Sequence, residues 1–177
     1  MSGGIVRGVR RAKIVNTLGP AVSSHDAMKE LMEAGMNIAR LNMSHGEYSE
    51  HQERLDLVRS VSKELGLNVA ALADLQGPKI RTGLFEKAEG ESNGVNCHCT
   101  VAGPVGDHKG INLPGVAVSI PALTEKDEEN LRWALKAGID LVALSFVRHG
   151  SDIDRVHEIM DEEGRTVPVI AKLEKPQ

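Results

Sequence analysis

The chain has 177 residues, 41% hydrophobic and 26% charged, with a formal net charge of −4, which suits one globular unit or part of a larger one. That negative balance gives no bulk attraction to nucleic acid or to an acidic membrane, and one Trp, one Tyr and two Phe leave few rings to stack on bases. No apolar run is long enough to cross a bilayer, no apolar segment follows Arg7, Arg10 and Arg11 as a secretory leader requires, and two cysteines are too few for a disulfide framework. Neither a nucleic-acid nor a membrane role is expected, and the expected compartment is the cytoplasm.

Residues 12–18 read as a short strand stopped by Gly19-Pro20. Ser23, Ser24 and Asp26 offer caps to a helix near 25–34, with Met28, Leu31 and Met32 as its apolar stripe. A strand around 37–42 follows, in the run Asn37-Ile38-Ala39-Arg40-Leu41-Asn42-Met43-Ser44-His45-Gly46. Its polar residues Arg40, Asn42 and Ser44 fall at every second position, so an extended chain points all three the same way. A helix near 48–65 places Leu55, Val58, Val61 and Leu65 on one stripe and ends at Gly66.

Residues 68–73 form a third strand that opens into Asp74-Leu75-Gln76-Gly77-Pro78-Lys79-Ile80-Arg81-Thr82-Gly83. From 84 to 118 the periodicity lapses into a Gly-rich irregular insertion, which holds Cys97-His98-Cys99, half a metal site with no matching second half. Thr124, with Asp127 three residues on, starts a helix that runs to Ala137. A strand at 141–146, a helix at 151–163 and a strand at 167–172 complete the order.

Strands and helices alternate, and the strands are continuous apolar runs, the signature of parallel strands covered by helices. The Gly-rich nucleotide fingerprint and the P-loop spacing are both absent. Polar residues instead collect just past strand ends, at Arg40 to His45, Asp74 to Arg81, Ser145, and Lys172 with Glu174. Barrel active sites are assembled in this way. The expected fold is α/β, a partial (β/α)8 TIM barrel of about five parallel strands and four helices with a short irregular insertion after the third strand. Five strands do not close a barrel of eight.

If the strand ends converge, Arg40, Lys79, Arg81, Lys109 and Lys172 supply cations, and Asp74 and Glu174 supply carboxylates. Hard oxygen ligands suit Mg²⁺ or Mn²⁺, and several cations around such a metal match phosphoryl transfer. Lys172 and Glu174 share a strand face. Each residue also has a plainer reading: a solvated lysine, a turn-bonding His45, a surface Lys-Leu-Glu-Lys.

The motifs Ala39-Arg40-Leu41-Asn42-Met43-Ser44-His45-Gly46, Asp74 to Gly83, Lys109-Gly110-Ile111-Asn112-Leu113-Pro114-Gly115, Ser145-Phe146-Val147-Arg148 and Ala171-Lys172-Leu173-Glu174-Lys175, together with Lys13 to Pro20, resemble the pyruvate kinase family in order along nearly the whole chain. The resemblance implies phosphoryl transfer between phosphoenolpyruvate and ADP, giving pyruvate and ATP, with Mg²⁺ or Mn²⁺. It implies that Lys172 and Arg40 are catalytic, and that Arg40, Asn42, His45, Arg81 and Lys109 bind nucleotide or phosphate. Glu174 would hold the divalent metal. Asn42, Ser44, Asp74 and the carbonyl of Leu75 would form a monovalent-cation site for K⁺. Lys79 stands where potassium-dependent members carry Glu, so K⁺ is expected to be dispensable. The implied division is 1–83 for the first part of the barrel, 84–118 for a remnant of the family's lid domain, and 119–177 for the continuing barrel, with no C-terminal domain.

The family's second metal carboxylate, in a later Gly-Asp, lies beyond Gln177, so activity of this chain alone is expected to be impaired or absent. Two other readings stand beside it: a silent member that binds phosphate or self-associates through open sheet edges, and a metal-dependent aldolase acting on pyruvate or its enol.

Overall fold

The structure, a computed structural model, describes residues 11–78, 80–83, 98–111 and 121–174. Five strands and four helices alternate: β1 (Val15–Thr17), α1 (His25–Glu33), β2 (Ile38–Asn42), α2 (Tyr48–Leu65), β3 (Ala70–Leu75), α3 (Glu125–Ala137), β4 (Leu141–Leu144), α4 (Asp154–Glu162) and β5 (Val169–Ala171). All neighbouring strands pair in parallel, in the order β1-β2-β3-β4-β5. An open doubly wound sheet reverses its strand order at a switch point. This sheet has no reversal, as expected of a stretch of a (β/α)8 barrel. No described helix is long and apolar enough to cross a membrane.

The helices form where the sequence caps them. The Ser24 side chain accepts from Ala27 N at the start of α1, and Glu47 with Glu50 and Thr124 with Asp127 build capping boxes on α2 and α3. Met28 and Met32 of α1, Leu55, Val58 and Val61 of α2, Leu131, Ala134 and Leu135 of α3, and Val156, Ile159 and Met160 of α4 are buried in one core. From the sheet, Ala39, Leu41, Ala71, Ala73, Leu75, Val142 and Leu144 join them.

The register fixes which residues share the opposite face. Thr17 lies beside Arg40, Arg40 beside Leu72, and Asn42 beside Asp74; Asp74 lies beside Ala143, and Ala143 beside Ile170. By strand alternation this second face carries Val15 and Ile38 low, Thr17, Arg40 and Leu72 above them, and Asn42, Asp74, Ala143 and Ile170 at its carboxyl end.

Several boundaries differ from the sequence-based expectation. β3 runs two residues further, to Leu75, because the Asn42–Asp74 pairing extends its ladder. β4 stops at Leu144, and the chain turns through Phe146, which has φ 58°. The expected helix at 151–163 splits into a 3-10 turn, Gly150–Asp152, and α4. Ser44 does not continue the strand: it lies in a turn, its amide donating to Asn42 Oδ1 (3.3 Å).

Candidate active site

Asp74 is the centre of the strand-end cluster. Its side chain is 5% exposed, and as the fifth residue of an otherwise apolar strand it enters the sheet only because cations meet it there. Arg40 Nε donates to Asp74 Oδ2 (2.6 Å), with Nη2 at 2.5 Å from the same oxygen. Arg40 Nη1 donates to Thr17 Oγ1 (2.8 Å). From the other side, Lys172 Nζ donates to Asp74 Oδ1 (3.2 Å) and to Ser145 Oγ (2.9 Å). Glu174 Oε1 lies 3.2 Å from the same ammonium. Ser145, buried at the end of β4, donates onward to the carbonyl of Leu75 (2.7 Å). Residues from five successive strand ends therefore meet around one carboxylate.

The other expected residues fall at graded distances from this centre. Asn42 and Leu75 flank Asp74 at the ends of β2 and β3, and Ser44 follows in the turn. His45 is exposed in the β2–α2 loop; its amide donates to the carbonyl of Asn42 (3.3 Å) and its own carbonyl is held by His51 Nε2 (2.9 Å). Arg81 and Lys109 lie on a separate arm of two antiparallel segments. There Thr82 N donates to the carbonyl of Lys109 (2.8 Å), Ile111 N to that of Ile80 (2.8 Å), and Arg81 Nη1 to that of His108 (3.1 Å). Among the described residues no hydrogen bond or ion pair joins this arm to the Asp74 cluster. Lys79 lies outside the described residues, as do Cys97 and Asn112 to Gly115.

Two cation sites are implied by the resemblance, and the residues suit them unequally. Glu174 offers a hard, half-exposed carboxylate beside Lys172, compatible with Mg²⁺ held by one protein carboxylate and substrate oxygens. No group of three metal-ligating side chains occurs among the described residues. The oxygens assigned to K⁺ accept hydrogen bonds from the protein: Asp74 from Arg40 and Lys172, the Leu75 carbonyl from Ser145, and Asn42 Oδ1 from the Ser44 amide.

Thr17, His51 and Asp127 were not singled out as site residues from the sequence, and Ser145 was named there only as a polar residue past a strand end. Thr17 and Ser145 lie at strand ends and lock Arg40 and Lys172. His51 is buried in α2 on the Leu55/Val58 stripe, tilted against Trp133, which itself stacks on Tyr48. A carbonyl only accepts, so the bond to His45 fixes the proton on His51 Nε2; burial pushes this imidazole below its ordinary range. Asp127, wholly buried in the first turn of α3, receives Gly77 N (3.2 Å). The sequence signal for both was a polar residue at a core position of a helical stripe.

A sheet of parallel strands wound without reversal, with cations and carboxylates gathered at its carboxyl edge, is part of a (β/α)8 barrel. A protein-family model described as "Pyruvate kinase, barrel domain" matches residues 9–93 and 87–177. The chain is 43% identical over 221 aligned positions to the pyruvate kinase of Corynebacterium efficiens, covering 95% of this chain and 47% of that protein. It is 44% identical to the pyruvate kinase of Mycobacterium tuberculosis H37Rv, with the same coverage. It is 34% identical over 223 positions to pyruvate kinase 2 of a Synechocystis species, covering 94% of this chain and 38% of that one. The chain belongs to the pyruvate kinase family. It spans about half the length of these Corynebacterium and Mycobacterium relatives.

Proposed function

We propose that the strand-end cluster takes part in pyruvate-kinase-type phosphoryl transfer between phosphoenolpyruvate and ADP, in the cytoplasm. The observation that carries this reading is the convergence of Arg40 and Lys172 on Asp74. Catalysis of phosphoryl transfer is mostly positioning and charge stabilisation, and two cations locked by one buried carboxylate, a threonine and a serine are positioned before substrate arrives. The phosphoryl group leaves the enol oxygen for a terminal phosphate oxygen of ADP, and the resulting enolate takes a proton at carbon to become pyruvate. Lys172, half exposed, faces the charge that builds on the phosphoryl and enol oxygens, and Arg40 faces the phosphoryl oxygens. His45, Arg81 and Lys109 are exposed and serve the nucleotide phosphates. Glu174 would hold the divalent metal, which when bound would supply positive charge to the same oxygens.

K⁺ is not needed in this reading, because Asp74 already has two protein cations and Lys79 adds a third nearby in sequence. The 221 aligned positions exceed the chain's 177 residues and the family model matches in two pieces meeting at 87–93. Both support a shortened insertion between a first barrel part, 1–83, and its continuation, 119–177.

The test is pyruvate formation from phosphoenolpyruvate and ADP with Mg²⁺, beside Lys172→Met, in K⁺ and in tetramethylammonium buffers. Turnover lost in the variant and equal in the two buffers fits; turnover unchanged in Lys172→Met sinks the assignment. A second reading, self-association through the sheet edges, is favoured by Val15 and Ile170, 47% and 41% exposed on β1 and β5. Light scattering that gives a concentration-independent monomer mass would refute it.

A further inference from the structure

Arg81 and Lys109 ride on an arm that leaves the sheet after β3, and 46 residues separate Gly77 from Thr124, where the chain returns at α3. Placing those two cations over the strand-end cluster needs a fixed point at the base of the arm. Asp127 is in contact with both sides of that base. Its Oδ1 accepts from Gly77 N (3.2 Å), and its Oδ2 accepts from Thr124 N (3.1 Å) and Thr124 Oγ1 (2.6 Å).

The carboxylate is wholly buried, and it sits in the first turn of α3, where unpaired helix amides favour negative charge. Gly77 is itself confined: with φ 67°, a Cβ there would lie 3.0 Å from Phe146 Cδ2 and 3.1 Å from Ser145 Cβ. Ser145 is the residue that holds Lys172. The outgoing chain is thus wedged between the β4 turn and one carboxylate that also holds the incoming chain.

We infer that Asp127 is a positioning residue, clasping both chain crossings at the base of the arm and so setting where Arg81 and Lys109 stand relative to Arg40 and Lys172. The nucleotide role of those two cations rests on the function proposed above; the clasp itself does not. A helix cap alone would need only the Thr124 half of these bonds. The Gly77 half serves the arm.

The experiment uses the full chain with Cys97→Ser and Cys99→Ser, spin-labelled at Gly83→Cys on the arm and at Glu53→Cys on the exposed side of α2, with distances read by pulsed electron resonance. Asp127→Asn keeps the volume but turns an amide nitrogen toward one of the two backbone donors, so it cannot serve both crossings. Thr124→Ala removes cap strength and keeps the Gly77 bond. The clasp predicts a displaced or at least twofold broader distance distribution in Asp127→Asn and an unchanged one in Thr124→Ala. Identical distributions in Asp127→Asn and the parent, or equal changes in both variants, would overturn it.

Hydrogen exchange in the unsubstituted chain decides the same point if Asp127→Asn fails to fold. Gly77 N–H should be protected like Val142 N–H of the sheet, and exchange there at the rate of an exposed loop amide would overturn the clasp. Where the parent chain binds ADP, Asp127→Asn should weaken it about tenfold, the scale of one lost hydrogen bond to a charged group, with phosphoenolpyruvate affinity unchanged. A parent chain that binds no ADP counts against the nucleotide reading only, since the distances and the exchange decide the clasp without it.

Discussion

Replacing Asp74 by Ala should be among the most damaging single changes in this chain, and its cost can be reasoned from the geometry. The carboxylate is 5% exposed, and its partners Arg40 and Lys172 keep 28% and 31% of their side-chain surface in solvent. Without it, the Arg40 guanidinium faces the Lys172 ammonium with no carboxylate between them, and Lys172 keeps only Glu174 and Ser145 as partners. Removing one member of a buried ion pair costs about 3–5 kcal/mol. Because both cations retain solvent contact, the lower end applies, about 3 kcal/mol. For a chain of this size that corresponds to a fall of roughly 6–12 °C in melting temperature. Urea denaturation followed by circular dichroism measures it. A second removal, Lys172→Met on the Asp74→Ala background, relieves the repulsion, so the double variant should be more stable than additivity predicts, by about 1 kcal/mol. A cost below about 0.5 kcal/mol for Asp74→Ala, or strict additivity, would refute the picture of one carboxylate balancing two cations.

Three further outcomes follow from individual contacts. Ser145→Ala removes a buried hydroxyl and leaves the Leu75 carbonyl unpaired, which should cost about 1–2 kcal/mol in chemical denaturation, and a neutral result would show that water replaces it. Gly77→Ala forces a Cβ against Phe146 and Ser145 at positive φ and should cost more than about 1 kcal/mol; a melt equal to the parent's would mean that the turn relaxes freely. His51 gives a pH dependence. Burial pushes its imidazole down, the Arg54 charge adds to that, and the His45 carbonyl and Glu50 oppose it, while Trp133 adds no charge. As pH falls the unfolded chain takes up this proton first, near pH 6.5, so the stability from neutral His51 is full above that value and is lost on going down toward the folded midpoint. Between about pH 7 and about pH 5 the melting temperature should fall less in His51→Gln than in the parent, and parallel curves would contradict the assignment.

Much of this architecture was legible because its signals are local. Apolar runs bounded by Gly and caps such as Ser24 and Thr124 gave the strand and helix order, and polar residues past strand ends gave Arg40, Asp74, Lys172 and Glu174. What was not legible depends on tertiary register. Nothing local shows that Asp74 extends β3 by pairing beside Asn42, or that Arg40 and Lys172 approach one carboxylate from opposite sides. Ser44 was misplaced because alternation was continued past the point where the Asn42 side chain captures the next turn's amide. Asp127 was read only as part of a helix start and His51 not at all; their positions on the buried stripes of α3 and α2 were the better guide. Arg81 and Lys109 were grouped with the cluster on the expectation that the strand ends converge, and again by resemblance, whereas their own backbone pairing places them on a distinct arm.

The central claim is that the Asp74 cluster is built to receive a phosphorylated enol. Calorimetric titration of phosphoenolpyruvate with Mg²⁺ into the parent chain, into Lys172→Met and into Glu174→Gln tests it most directly. The account predicts saturable binding in the parent, loss in Lys172→Met, and loss of the Mg²⁺ dependence in Glu174→Gln. Binding of equal strength in all three proteins, or none in the parent at any metal concentration, would contradict it.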